Sequence, residues 1–256
     1  MIEINLFSEP GMVKIFIDFD GTITRRDVGD EFFEYFGGTT CKSLVNDYYQ
    51  GKISAVECFR LEANACGKIN QREFDEFILK HEIDPSFKEF LEFCKEQEIE
   101  CYIVSDGLDY YIAKILDRYK IAIPFFSNHL ELIQSDAKEY VYMNLSFPYT
   151  DEECDRCACC KRNIMLERCS DEDLIVYIGE GYSDFCPVRY ADIIFAKEEL
   201  QRYCQKEKIP HAGYNSFDDI LQYFKKVNKS QSTQKKVGLR KRRQAQLARR
   251  DLFIGG

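Results

Sequence analysis

Apolar residues alternate between two spacings along this chain. Short runs of β-branched and aromatic residues, Val13 to Ile17, Ile99 to Val104, Leu174 to Ile178 and Ile193 to Phe195, read as buried strands, with Phe125-Phe126 as a further one. Val28, Phe32, Tyr35 and Phe36 open a helical block that shows no strand pattern up to about residue 83. Inside it, Ser54-Ala-Val-Glu57 reads as a capping box and Asn70-Gln-Arg-Glu73 as a weaker one. Asp84-Pro85 breaks the pattern before an amphipathic helix over Phe87 to Glu96. Helices are also expected over Asp109–Tyr119, after Lys161, and after Ser216-Phe-Asp-Asp219. Residues 129–150 alternate through Leu130, Leu132, Tyr140 and Tyr142, the pattern of an antiparallel hairpin.

Strands alternating with helices predict an α/β protein with a doubly wound, mostly parallel sheet and right-handed crossovers. The helical block sits in the first crossover, so it is expected as a cap inserted after the first strand. The expected division is a core of 1–25 and 84–226, a cap of 26–83, a hairpin and Cys-rich insert at 129–160, and a basic tail at 227–256.

Composition narrows the class. A hydrophobic content of 45%, with 14% aromatic, in 256 residues supports one core plus an insert. No run reaches membrane-spanning length, which argues against a membrane partner. The first residues carry no basic-then-apolar signal, so a cytoplasmic location is expected and residues 1–11 read as a loose leader. The net charge of -9 is uneven: from Lys225 onward eleven Lys and Arg face one acid, Asp251, a balance of +10 that leaves -19 on the rest. The tail reads as a solvated, disordered arm able to attract nucleic acid by charge alone. The acidic body argues against a dedicated nucleic-acid protein, and a homodimer is compatible with the chain. Twelve cysteines suit a reducing compartment. Cys154, Cys157, Cys159 and Cys160 leave three readings open: structural zinc, a redox-sensitive pair, or a thiol cluster lining a pocket. Four ligands within seven residues would strain a tetrahedral shell.

The chemistry starts at Asp18-Phe-Asp20-Gly21-Thr22, which ends the first strand. Carboxylates at i and i+2 leave an extended chain on one side, and two buried like charges need a cation or a shared proton. Ser105-Asp106-Gly107 and Gly179-Glu180-Gly-Tyr-Ser-Asp184 also follow strands, where open α/β sheets bind ligands, and a helix can bring Lys161 to the same crevice. The chemistry that fits is phosphoryl transfer. Asp18 attacks phosphorus, and Asp20 protonates the leaving alkoxide and later activates water. Asp18, the Asp20 carbonyl and Glu180 bind Mg²⁺, and Asp184 holds a metal-bound water or orients Lys161. Gly21, Thr22, Ser105, Asp106 and Gly107 hold phosphate oxygens through hydroxyls and amides, while Lys161 neutralises charge.

Together these segments resemble the four motifs of the haloacid dehalogenase (HAD) superfamily of phosphatases, over about residues 12–200. The insert between motifs one and two resembles the cap of the phosphoserine phosphatase-like branch. Cys159-Cys160-Lys161 is similar to the 2-hydroxy-3-keto-5-methylthiopentenyl-1-phosphate phosphatases of methionine salvage. The resemblance implies a Rossmann-like core and a Mg²⁺-dependent phosphomonoesterase acting on a small phosphorylated metabolite through an aspartyl-phosphate. Asp27 falls where phosphoserine phosphatases carry a substrate-binding acid, and Arg60 on the cap could meet a carboxylate or phosphate. Two departures stand out: Glu180 replaces the more usual Asp, and Asp106 replaces a small residue, adding a negative charge near the phosphate unless it points away. The alternatives are a phosphoserine phosphatase, a non-catalytic binding protein on the same fold, or a protein that works through its basic tail.

Overall fold

In the computed structural model, residues 12–152, 154 and 156–229 are described, with side chains to 226. The leader 1–11 and the tail from 230 onward lie outside the described residues. In chain order the elements are β1 (Val13–Ile17), α1 (Val28–Gly37), α2 (Thr39–Tyr49), α3 (Ala55–Cys66), β2 (Ile69–Asn70), α4 (Gln71–Ile78), α5 (Phe87–Glu96), β3 (Glu100–Leu108) and α6 (Asp109–Arg118). They continue with β4 (Phe125–Gln134), β5 (Tyr140–Ser146), α7 (Lys161–Arg168), β6 (Leu174–Gly179), β7 (Ile193–Ala196), α8 (Glu198–Lys206), β8 (Ala212–Gly213) and α9 (Phe217–Lys229).

The chain divides into two compact units. One comprises Met1–Asp18, Asp84–Tyr102 and Ile164–Gly256. Here β1 pairs with β6 in parallel from Val13↔Leu174 to Ile17↔Ile178, β6 with β7, and β7 with β8, all parallel. Every β6 residue is buried, so the strand reads as an unbroken apolar run rather than an alternation. α5 and α9 meet through Phe87, Phe90 and Phe217, with ring centroids 4.7 and 5.2 Å apart.

The other unit comprises Phe19–Ile83 and Ile103–Asn163. The end of β3 pairs in parallel with β4, β4 forms an antiparallel hairpin with β5 from His129↔Ser146 to Gln134↔Val141, and β2 adds to β5. The expected hairpin is present, whereas β2 interrupts the block that showed only helical spacing. Two residues are too short to leave an alternation in sequence. The helices α1, α3 and α4 start where expected: Asp27 Oδ1 accepts the Asp30 N–H at 2.8 Å, Ser54 Oγ that of Glu57 at 3.1 Å, and Asn70 Oδ1 that of Glu73 at 3.0 Å. Their apolar faces share an aromatic cluster in which Phe32 lies 4.1 Å from Phe33 and 5.3 Å from Phe74. Among the described residues no helix is long and apolar enough to cross a membrane.

Candidate active site

The chain passes from one unit to the other inside the Asp18-Phe19-Asp20 tripeptide. In the unit that holds Asp20, this carboxyl is nearly fully buried and clasped from three sides. The Tyr111 hydroxyl donates to Oδ2 at 2.6 Å, Ser105 Oγ donates to the same oxygen at 3.3 Å, and the Val28 N–H donates to Oδ1 at 3.1 Å. Burial pushes the Asp20 carboxyl above its ordinary range, against the opposing pull of these donors and of the Lys161 ammonium. A raised carboxyl that still has a cation in reach can both give and take a proton. Gly107 is required here, because a Cβ would collide with the Tyr111 hydroxyl and Asp20 Oδ2.

Ser105 does not lie beyond its strand as expected. β3 continues to Leu108, and its pairing slips between Val104↔Phe126 and Leu108↔Asn128. The Ser-Asp-Gly segment forms an irregularity in the strand that turns the Ser105 hydroxyl onto Asp20. The Gly107 N–H donates to Ser105 Oγ at 2.9 Å, and the Gly21 N–H donates to Thr24 Oγ1 at 3.1 Å, so both of these expected phosphate amides also shape their own turns. Thr22 is buried. The Asp106 carboxylate accepts the Cys159 N–H at 2.6 Å.

In the other unit, the Asp18 N–H donates to the Ile178 carbonyl at 2.9 Å, which ties the end of β1 to the end of β6. Glu180 follows β6 directly. Asp184, on a single 3-10 turn at Tyr182–Asp184, is fully buried. Its Oδ1 accepts the Tyr177 hydroxyl at 2.5 Å, and its Oδ2 accepts the N–H groups of Glu180 at 2.8 Å and Gly181 at 3.1 Å. A Cβ at Gly179 would strike this carboxylate. Asp184 thus fixes the turn that presents Glu180. Burial holds the Lys197 ammonium pKa below its ordinary value, against the opposing pull of the Glu180, Asp84 and Asp18 carboxylates.

Other expected residues are engaged locally. Asp27 caps α1. The Arg60 guanidinium lies 5.5 Å from the Phe147 ring centroid. It lines an open groove of about 620 Å³ with Ser54, Val56, Thr150 and Asp151, and none of Asp20, Thr22, Ser105 and Lys161 borders that groove. The Cys157 thiol is within hydrogen-bond reach of Cys154 and Cys160, lowering them to about 6 and about 7 while its own is pushed far up. Among the described residues, no group of three or more His, Cys, Asp or Glu side chains is arranged to hold a metal ion, so the zinc reading gains no support from the geometry.

Sequence reasoning missed Tyr111 and Lys197. Tyr111 carries no signal, since its position on α6 reads as core. Lys197 directly follows β7, and the strand-end rule that found Glu180 would have found it too.

The mixed α/β fold, with mostly parallel strands and helices, is that of the HAD phosphatases. A HAD family hydrolase from Salmonella enterica superposes with a TM-score of 0.64 at 20% identity, over 84% of this chain and 72% of that one. A phospho-aspartyl intermediate analogue of phosphoserine phosphatase gives 0.63 at 18% identity, over 83% and 99%. The model of the Putative Phosphatase family matches residues 13–209, and the chain belongs to that family. Its relatives include 2-hydroxy-3-keto-5-methylthiopentenyl-1-phosphate phosphatases from Bacillus pumilus, 26% identical over 86% of this chain and 94% of the relative, and from an Exiguobacterium, 27% identical over 84% and 98%. The family resemblance drawn from the motifs is borne out.

Proposed function

We propose that this chain is a Mg²⁺-dependent phosphomonoesterase whose substrate is 2-hydroxy-3-keto-5-methylthiopentenyl-1-phosphate, acting in the cytoplasm. The observation that carries the reaction type is Asp20: a buried carboxyl clasped by Tyr111, Ser105 and Val28, with a raised pKa, two residues beyond a second carboxylate. The relatives, which align over most of their own length, support this choice of substrate.

In this reading an Asp18 carboxylate oxygen forms a bond to phosphorus as the bond to the leaving oxygen breaks, and Asp20 passes its proton to that oxygen. Asp20 then takes a proton from water as the water attacks the aspartyl-phosphate, releasing inorganic phosphate and freeing Asp18. Ser105, Thr22 and Lys161 hold and neutralise the phosphoryl oxygens. Asp18, Glu180 and the Asp20 carbonyl would hold Mg²⁺. Their donors are all oxygens, and two carboxylates leave the rest of the shell to water and substrate, as this ion prefers. Bound there, Mg²⁺ supplies charge that offsets the phosphoryl anion. Residues 26–83 would be the cap that selects the leaving group, with Asp27 and Arg60 as its polar contacts.

A panel containing the methylthiopentenyl phosphate, phosphoserine and an aryl phosphate tests this, with and without Mg²⁺. The reading expects Mg²⁺-dependent release of phosphate, fastest from the first compound, and no turnover by Asp18→Asn. Preference for phosphoserine would overturn the substrate, and undiminished turnover by Asp18→Asn would overturn the mechanism.

A further inference from the structure

In the irregular stretch of β3, side chains supply hydrogen bonds to the backbone at Gly107 and Asp106. Between Val104↔Phe126 and Leu108↔Asn128 the register shifts, so that three residues, Ser105, Asp106 and Gly107, stand where the partner strand has one, Ser127. Buried backbone groups displaced from a ladder need other partners. Ser105 Oγ takes the Gly107 N–H. The Asp106 carbonyl takes the Nδ2–H of Asn128 at 2.5 Å. Asn128 is fully buried, and its Oδ1 has no partner among the described residues. This amide leaves one polar atom unsatisfied while its other end secures Asp106.

The Asp106 side chain reaches a third segment. Its Oδ1 accepts the Cys159 N–H at 2.6 Å, and the Cys159 carbonyl accepts the Lys161 N–H at 2.8 Å. Lys161 opens α7, is almost entirely buried, and sits in the field of Asp20. One short path therefore runs from Asn128 through Asp106 and Cys159 to Lys161, and starts beside Ser105. A small residue at 106 could not build it.

We propose that Asp106 is a positioning residue: through the Cys159 N–H it sets Lys161 in the field of Asp20, and Asn128 holds Asp106 in that pose. The inference deepens the phosphatase reading and rests on it. What the brace needs from Asp106 is an acceptor oxygen rather than a negative charge. That separates it from a role in binding a cationic part of the substrate.

The test compares Asp106→Ala, Asp106→Asn, Lys161→Ala and the Asp106→Ala/Lys161→Ala double variant, using kcat/KM on an aryl phosphate and the affinity for inorganic phosphate. An ångström of misplacement can cost about 10²-fold, and Asp106→Ala is expected to lose about that in kcat/KM. Asp106→Asn keeps an acceptor about half as strong and is expected to lose less than about tenfold. In the Lys161→Ala background, Asp106→Ala is expected to cost no more than about twofold, because coupled positions are non-additive. Asn as damaging as Ala, an Ala variant as active as the wild type, or an undiminished Ala effect without Lys161 would each overturn the proposal. If the wild type turns over no phosphate ester, the hydrolase reading fails, and the phosphate-affinity cycle still decides whether Asp106 acts through Lys161.

Discussion

Asp20 meets two opposed demands. Burial raises its carboxyl, favouring the protonated form, while Tyr111, Val28 and Ser105 donate hydrogen bonds that favour the carboxylate. The balance suits a group that gives a proton in one step and accepts one in the next. Tyr111 is the strongest of these donors, and its own hydroxyl is held protonated well above the usual range by burial and by the neighbouring Asp20 and Asp27. Tyr111→Phe keeps the ring in the Phe19 and Phe32 cluster and deletes only the donor. It is expected to raise the Asp20 pKa further, moving the alkaline limb of the kcat profile to higher pH, and to lower kcat by about tenfold, the worth of one hydrogen bond to a charged group. An unmoved alkaline limb would detach Asp20 from that proton transfer. Asp18, Asp20 and Glu180 were legible in sequence because carboxylates there follow apolar runs, and Lys161 because a helix pattern follows it, whereas Ser105 lies inside β3 rather than beyond it. Tyr111 was not, because an aromatic at helical spacing is indistinguishable from core until its hydroxyl finds a partner.

Among the elements, α3 couples local signals to stability. Ser54 accepts the Glu57 N–H, and Ser54→Ala is expected to cost about 1 kcal/mol, read as a lower denaturation midpoint at unchanged slope. On the same helix Glu62 is buried beside Cys58, whose thiol donates to Oε2 at 3.7 Å. Burial and the nearby Asp30 carboxylate push Glu62 from 4.5 up to about 8. The native state then keeps a proton that the unfolded chain loses. This contribution is fully present below about pH 4.5 and falls away as pH rises through about 8. Glu62→Gln removes the titration, so its melting temperature is expected to gain on the wild type between pH 5 and pH 9; an equal pH dependence in both would contradict the burial of this acid. The caps of α3 and α4 and the β4–β5 hairpin were readable because capping residues and period-two alternation are local. The two-residue strands β2 and β8 and the extension of β3 through Ser105 were not, since they depend on partners distant in sequence and Ser-Asp-Gly reads locally as a turn.

For the molecule as a whole, the parallel α/β fold and the family were legible, because each crossover leaves an apolar run, a turn and a helix in sequence. Of the boundaries between the two compact units, the one between Ile83 and Asp84 was marked by the Asp84-Pro85 break, whereas those between Asp18 and Phe19, within β3 and within α7 were not, because no composition change falls there. The positive charge beyond Lys229 contrasts with the acidic remainder. None of the proposed catalytic groups lies there, so a chain ending at Lys229 is expected to keep its kcat/KM on an aryl phosphate, and a loss of turnover would bring the tail into the reaction.

The central claim is that phosphorus is transferred to Asp18. Borohydride reduction during turnover converts an acyl phosphate to an alcohol, and peptide mass spectrometry then locates the altered residue. The account predicts homoserine at position 18 in the wild type with substrate and none without it. Sustained turnover with Asp18 unmodified, or trapping at another carboxylate, would contradict it.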